Sequence, residues 1–420
     1  MANNLSSNIT RPLAKIFLEA FESSRVVTKT VNTQLLSGKF NPSTGTKVDF
    51  KRPHDYNSIS SAGGDISGAD KSDIIAGKAT GTVQPYFTSA TEWSNIQEAL
   101  ELDQLDQILE PMARRLVTDL ELDLAKFMRI NTGLNYGARG TAVDAWSDVA
   151  GAGAMMDSVG VPMSDNKYYL MNPFTTTSLA SAQSGLNAAD GLVRTAFEKA
   201  QIASNFGGMK ALTSNALSSY TSGSTTDRLG DLKTAPDATY VTAKDTMQQT
   251  MVIETLGTGT IEAGDQIQIA GVNRLNIATR QLILDATGAA VPWTGTVLSV
   301  VTIAGNEATV VVSGAAIFEA NGQYNNVDAA PAAGAVVTIL GAAATVYQPN
   351  LFYTEQAFGL GTVKLPKLYS TDTVATTSDG MSIRVSKYSD GDANTQKIRF
   401  DLLPAYACFN PNFAGQGYGV

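Results

Sequence analysis

Few residues in this 420-residue chain have the types and spacing that catalysis or metal binding requires. His54 is the only histidine and Cys408 is the only cysteine, and the two lie in segments that share no motif. A Ser-His-Asp triad, a Cys-His pair and a zinc site are therefore not expected. We predict that His54 lies at the surface of a mobile hairpin and that Cys408 packs inside an apolar segment.

Two short segments resemble ligand-binding loops without meeting their requirements. Asp390–Asn394 places oxygen ligands at alternate positions and Asp401 falls where a calcium loop has its last carboxylate. Thr395, however, replaces the glycine that the sharp bend needs, so we interpret the segment as a polar hairpin turn. Gly77–Thr80 ends like a phosphate-binding loop but lacks the first glycine and the hydroxyl residue that binds magnesium. No carboxylate pair for glycoside hydrolysis stands out among the 39 acidic residues, and we predict no catalytic, cofactor-binding or metal-binding residue and no cofactor.

The charge of the chain is acidic and unevenly distributed. The formal net charge is −9 and the isoelectric point is about 4.8, while Ser224–Val346 holds five basic against eleven acidic residues. The chain lacks the basic surface that neutralises phosphates, which disfavours direct reading of a nucleic acid. Thr10–Glu22 is amphipathic rather than a signal peptide, and no run of about 18 apolar residues occurs. We expect a folded, soluble protein of two or three domains that stays in the cytosol.

The first patterned segment is a short amphipathic helix near the N-terminus. Thr10 can cap this helix, and its apolar face comprises Leu13, Ile16, Phe17, Ala20 and Phe21. Such a face needs a surface to lie against. Two alternatives are open, namely packing on its own domain and docking on a neighbouring subunit.

A long hairpin and a long helical pattern follow. The tip of the hairpin Lys47–Thr88 is rich in Gly, Ser and Asp and has little apolar surface, so we expect it to be mobile or to bind a partner. Trp93–Asn131 has the strongest helical periodicity, in which Pro111 must kink the helix or start a second one. The second helix has a charged face, which indicates a solvated or subunit-facing surface. This face comprises Arg114, Arg115, Asp119, Glu121 and Asp123.

The remaining chain divides into an α+β part and a β-rich insert. Asp144–Ser222 alternates helical pieces with short apolar runs, and the same style resumes after the insert with a predicted hairpin of Ser382–Tyr388 and Gln396–Leu402. The predicted helices are Asp144–Val159, Pro173–Ala182 and Ala188–Ala203. Ser224–Val346 consists of short Val, Ile and Thr segments separated by glycines, which predicts a six-stranded barrel or sandwich that folds alone. Its strand candidates are Tyr240–Val241, Thr250–Glu254, Gln266–Ala270, Val297–Ile303, Ala308–Val312 and Val336–Leu340.

Three surfaces suited to partners (the amphipathic arm, the long hairpin and the long helix) indicate a protein whose function is assembly. Several segments, in their order along the chain, also resemble a known family. They are Asn3–Leu5, Lys51–His54, Gly64–Gly68, Gly77–Gly81, Val117–Glu121, Ala263–Val272, Pro349–Tyr353 and Tyr388–Asn394. Over the whole chain, this order resembles the major capsid (coat) proteins of short-tailed double-stranded-DNA bacteriophages, in the branch that has an inserted β-barrel domain.

The resemblance implies an α+β fold of the tailed-phage/herpesvirus capsid type with an inserted all-β barrel domain. The implied parts are an N-terminal arm (1–46), an extended loop (47–88), a peripheral domain with the spine helix (89–140), the first part of the axial domain (141–222), the inserted β-barrel domain (223–346), and the axial return with the completion of the peripheral domain (347–420).

The resemblance also implies a function and partners. The chain would self-assemble in the host bacterial cytoplasm into hexamers and pentamers of an icosahedral shell, first a procapsid and then a mature head. A scaffolding protein and a portal ring would be its partners, packaged double-stranded DNA would touch the inner wall non-specifically, and no membrane would be involved. The expected assembly contacts are Leu13, Ile16, Phe17, Phe21, Lys51, Arg52, Asp65, Lys78, Arg114, Arg115, Lys244 and Asp245.

Two other classes of function stay open from the sequence. A tail-associated or adhesin-type protein would use the insert as a carbohydrate-binding module and would need exposed aromatic residues on it. A hydrolase acting through carboxylates would need a deep pocket lined by acids with perturbed pKa values.

Overall fold

The computed structural model describes Lys15 and residues 17–35, 40, 45–61, 63–94, 105–184, 199, 202–369 and 372–420. The chain divides into two compact units, each built from segments that are distant in sequence. The first unit comprises Met1–Asp49, Thr80–Ala125 and Phe358–Ala407, and the second comprises Phe50–Ala79, Lys126–Ala357 and Cys408–Val420.

Two four-stranded sheets lie mainly in the first unit. One has the spatial order β1 (Lys47–Lys51), β2 (Lys78–Val83), β23 (Pro404–Cys408) and β19 (Phe358–Thr362). The other has the order β20 (Thr373–Thr376), β21 (Ser382–Asp390), β22 (Thr395–Leu402) and β3 (Phe87–Ser94). The predicted hairpin near residue 390 is confirmed, because β21 and β22 pair antiparallel from Arg384 opposite Asp401 to Asp390 opposite Thr395.

The helices of the first unit correct one sequence prediction and refine another. Residues 17–24 form helix α1, a 3-10 turn follows at Val27–Lys29, and the long helix α2 spans Leu105–Ile130. The helical prediction is wrong at Trp93, because all eight residues of β3 pair with β22 and this pairing overrides the local periodicity. Pro111 does not begin a second helix, since α2 runs through it with the proline exposed.

A six-stranded mixed sheet with two helices belongs to the second unit. Its spatial order is β4 (Leu134–Tyr136), β24 (Ala414–Gly417), β18 (Asn350–Thr354), β5 (Lys167–Met171), β7 (Met209–Thr213) and β6 (Asn205–Phe206). Helix α3 (Trp146–Val159) and helix α4 (Pro173–Ser184) confirm two predicted helices, and the third predicted helix lies largely outside the described residues. A 3-10 turn at Pro411–Phe413 precedes β24.

A closed antiparallel barrel forms the β-rich insert, as predicted. Its order around the barrel is β10 (Gln248–Glu254), β15 (Ala308–Ser313), β13 (Pro292–Val297), β12 (Gln266–Asn273), β16 (Val336–Ile339) and β9 (Leu229–Leu232). Alternate residues of β10 are buried, so Met251 and Ile253 point into a core that surrounds the fully buried Trp293. Closure leaves no unpaired strand edge around the barrel.

Two strand candidates of the insert were wrong and two barrel strands were missed. Tyr240–Val241 lies in a short helix, α5 (Tyr240–Ala243), because the Tyr240 ring is buried in a separate small apolar cluster. Val297–Ile303 is not one strand: Val297 ends β13, residues 298–300 form a break, and Val301–Thr302 form the short strand β14, which pairs with β11 (Thr260–Ile261). The missed strands β9 and β13 contain glycine, and β13 begins at a proline, so their β-propensity is low.

A two-stranded neck connects the insert to the rest of the second unit. Strand β8 (Tyr220–Thr221) pairs antiparallel with β17 (Val346–Tyr347), which brings the entry and the exit of the insert side by side. Ser222 N donates a hydrogen bond to Thr345 O at 2.9 Å at the same place. Every helix in the described part of the chain is too short or too polar to span a bilayer.

Candidate assembly interface

The residues singled out for chemistry occupy unremarkable surroundings. Nδ1 of the exposed His54 lies 3.1 Å from Ile75 O. Cys408 is partly buried, and burial raises the pKa of its thiol to about 12, which suppresses the thiolate at neutral pH. The carboxylate of Asp390 accepts hydrogen bonds from the backbone of the two residues at 392 and 393, so the segment is a polar turn as predicted. Among the described residues, no cluster of three metal-ligating side chains occurs.

The extended loop between β1 and β2 has a bonded base and an exposed tip. Arg52 closes the base, because its Nε donates to Lys78 O at 3.0 Å and its guanidinium also donates to Phe409 O. Burial lowers the pKa of Arg52. Lys51 and Lys78 are exposed. Asp65 is exposed in the tip, and its hydrogen bond from Ser67 N at 2.9 Å lowers its pKa. Three of the four predicted contacts in this region, Lys51, Asp65 and Lys78, are therefore exposed to solvent.

The charged face predicted on the long helix is present on α2 in part, because Glu121 of that face is buried rather than exposed. Arg114 and Arg115 are exposed and pair one turn away with Glu110 and Asp119, respectively. Exposed pairs of this spacing contribute only about 0.3–0.5 kcal/mol each, so both arginines can exchange partners at little cost. Their role as contacts between subunits stays a prediction.

The turn that carries Lys244 and Asp245 lies against its own chain. The two side chains pair with each other at 3.1 Å. A Cβ atom at Gly77 would lie 2.7 Å from Lys244 O, so the loop passes directly over this turn and needs glycine there. The turn does not project, and a contact between capsomers at these two residues stays a prediction.

The apolar face of the N-terminal helix is covered within the first unit. Phe17 and Phe21 have no exposed surface, and Phe17 stacks on Phe400 of β22 with 3.9 Å between ring centroids. Packing on its own domain accounts for both rings in the single chain, which favours that alternative of the two. Leu13 and Ile16 lie outside the described residues.

A buried joint that the sequence did not reveal connects the barrel to the six-stranded sheet. Arg139 is enclosed by the rings of Tyr220, Tyr347 and Tyr418 at 5.7–5.8 Å and lies 3.7 Å from the buried carboxylate of Asp265. Its guanidinium also donates to Gly264 O at 3.1 Å and to Gln416 Oε1 at 3.0 Å. These partners come from four separate segments, and for this reason no local motif marks them.

A second buried arginine, Arg274, directly follows β12 and has no carboxylate partner among the described residues. Arg274 donates to Gly133 O, to Thr294 O at 2.8 Å and to Asn412 Oδ1 at 3.3 Å. Burial lowers the pKa of its guanidinium to about 9, so the side chain stays charged at neutral pH. Oxygen atoms from β13 of the barrel and from the residues just before β4 and β24 therefore share one cation.

An exposed loop tip, an exposed charged helix face and an inserted barrel define a structural protein that acts through its surfaces. The model of the family described as "P22 coat protein - gene protein 5" matches residues 1–419. A protein named "Major capsid protein" from Acyrthosiphon pisum secondary endosymbiont phage 1 is 48% identical over 424 residues, covering 100% of both chains. The chain is the major capsid protein of a phage and belongs to the P22 coat protein family.

Solved capsid structures overlap most of the chain at low sequence identity. A capsid structure of the cyanophage P-SCSP1u has a TM-score of 0.45 and 13% identity, covering 93% of this chain and 86% of that chain. A structure from Mycobacterium phage Che8 has a TM-score of 0.46 and 11% identity, covering 94% of this chain and 89% of that chain. The family assignment rests on the full-length sequence matches, which do not favour the adhesin alternative.

Proposed function

We propose that the chain assembles with itself into hexamers and pentamers of an icosahedral shell, first as a procapsid and then as a mature head around packaged double-stranded DNA. The observation that carries this proposal is the full-length match to the coat protein family. We further propose that a scaffolding protein and a portal ring are partners, that assembly takes place in the host cytoplasm, and that the chain has no catalytic role.

Weak, repeated contacts explain how such a shell can close. Each interface in a ring of five or six subunits need contribute only a few kcal/mol after the entropy of association is subtracted, because closure makes the contacts mutually reinforcing. Wrong contacts can then dissociate before the shell closes. The net charge of −9 suits DNA that is driven inside rather than bound by affinity.

The extended loop tip is the proposed clasp between subunits. Ile59 and Ile66 of the tip are 38% and 42% exposed, respectively, and the described residues of the tip form no helix or strand. An Ile66→Asp variant should keep a folded subunit and lose most closed shells, since a charge replaces apolar surface at the contact. Ile66→Ala should close shells nearly as the parent does.

The test is sedimentation and negative-stain electron microscopy of the purified chain, alone and with a co-expressed scaffolding protein. Closed shells or ring-shaped capsomers from the parent chain support the proposed function. Discrete subunits or trimeric rods from the parent under every condition would contradict it. Normal shells from Ile66→Asp would contradict only the role of the loop tip.

A further inference from the structure

The base of the extended loop is attached to the outside of its own inserted barrel. The carboxylate of Asp55 pairs with the Arg280 guanidinium. Asn57 Nδ2 donates to Asn321 O at 2.7 Å, and Gln323 Nε2 donates to Asp73 O at 2.6 Å. The two flanks of the loop are therefore both anchored, and residues 58–61 and 63–68 between them are exposed.

A small apolar contact accompanies these polar bonds. Tyr240 and Tyr324 stack with 3.6 Å between ring centroids, and Ile75 of the loop packs against their cluster. The hydroxyl of Tyr324 also lies 3.4 Å from Ile75 O. A cleft of about 1040 Å³ remains between the loop and the barrel surface, so the attachment works through separate points rather than through a continuous interface.

The barrel surface that receives the loop is held in an unusual backbone conformation. Arg280 and Asn321 have φ values of +59° and +57°, in the left-handed region that disfavours an arginine in particular. The Arg280 guanidinium is fixed by Asn325 O at 2.8 Å and by Gln323 O in addition to Asp55. Asparagine adopts this region readily, so the strain lies at Arg280, and a strained residue held by several bonds is typical of a position with a function.

We propose that the inserted barrel positions the extended loop of its own subunit, with Arg280 as the positioning residue and the tip directed outward for a neighbouring subunit. The role of the tip rests on the proposed function, whereas the attachment itself belongs to the single chain. The barrel thereby reduces the conformational entropy that the tip would otherwise lose on binding a neighbour.

The test measures the spread of distances between a spin label on the tip and one on the barrel. Labels at Ser67→Cys and Val300→Cys, both at exposed positions, should give one narrow distribution by electron paramagnetic resonance in a Cys408→Ser background. Arg280→Asp and Asp55→Arg should each broaden the distribution about twofold or more, because like charges then face each other and release the loop. The double variant, which restores the pair with reversed charge, should narrow the distribution again.

The matched control is Lys233→Ala, which removes a barrel ion pair with Glu307 far from the loop in sequence. It should leave the width of the distance distribution unchanged.

The outcomes separate the inference from the proposed function. A distribution that stays narrow in both single variants would overturn the positioning role. Broadening in both single variants without recovery in the double variant would also overturn it, since the pair would then not be the cause. Shells are scored separately, and a parent chain that forms no shells refutes the proposed function while the distance measurement still decides the attachment.

Discussion

Individual buried charges fix the distant segments of this chain to each other, and Glu121 is the clearest case in the first unit. Its carboxylate accepts hydrogen bonds from Val26 N and from both the backbone and the hydroxyl of Thr28, so α2 holds the segment that follows α1. Burial raises the pKa of Glu121, and the backbone hydrogen bonds only partly oppose this effect.

The raised pKa of Glu121 determines the sign of its pH dependence. The native state binds this proton more tightly than the unfolded state, so the contribution to the free energy of unfolding increases as the pH falls from neutral through the native pKa towards the unfolded value of about 4.3. Glu121→Gln should remove that dependence and keep an acceptor. Chemical unfolding of the soluble subunit at several pH values measures the free energy of unfolding of the parent chain and of Glu121→Gln, and the difference of parent minus variant should grow as the pH falls.

A second substitution at the same residue separates charge from hydrogen bonding. Glu121→Leu leaves two buried N–H groups without their acceptor and should lower the free energy of unfolding by about 1–3 kcal/mol at neutral pH. If Leu and Gln have equal stability, the hydrogen bonds to Val26 and Thr28 contribute nothing and the assigned role is wrong.

At the scale of elements, the helix α2 continues through a proline in its interior. Pro111 is exposed, and its ring deprives the carbonyl of residue 107 of a hydrogen-bond donor. Pro111→Ala should raise the free energy of unfolding of the subunit by about 1–3 kcal/mol, since it restores that donor without creating a cavity. Pro111→Gly should give a gain about 1 kcal/mol smaller. A loss of stability on Pro111→Ala would mean that the ring fixes a needed bend.

Local pattern predicted the elements whose partners are close in sequence. The hairpin of β21 and β22, the helices α3 and α4 and the barrel character of the insert follow from periodicity, turn residues and glycine spacing. The helix predicted at Trp93 is wrong because local periodicity does not reveal the partner of its strand. That partner is β22, which lies some 300 residues later. The arginine joints were missed for the same physical reason, as the oxygen atoms around Arg139 and Arg274 come from several separate segments.

At the scale of the whole molecule, the barrel and the six-stranded sheet differ in which parts of the chain supply their core residues. The barrel core is drawn entirely from the insert, from Leu232 to Ile339, and it has no open strand edge. The core beneath the six-stranded sheet instead includes Ile283, with Ile277 and Val291 packed against it, all supplied by the excursion between β12 and β13. We therefore expect the insert to fold without the rest of the chain, and we expect the six-stranded sheet to require the insert.

This asymmetry predicts opposite results for the two halves of a split chain. Residues 223–346 expressed alone should fold cooperatively, with hydrogen-exchange protection in all six barrel strands, because the barrel core is retained. The polar contacts of Arg274 and the apolar surface of Ile277, Ile283 and Val291 become exposed to water, but these residues lie outside that core. In the complementary chain, Asn-Gly replaces residues 223–344 between Ser222 and Thr345, so that the neck is kept. This chain should aggregate or lose hydrogen-exchange protection in α3 and β5, since removal of a buried side chain such as Ile283 alone costs about 2–5 kcal/mol. The joined ends are neighbours in the neck, so strain at the junction does not account for that failure.

Ile283→Ala in the full chain isolates the apolar contribution. It should lower the hydrogen-exchange protection of α3 and β5 while the barrel strands keep theirs. A soluble remainder with protected α3 and β5 would show that the sheet folds without the insert, and the barrel would then be needed only for positioning the loop.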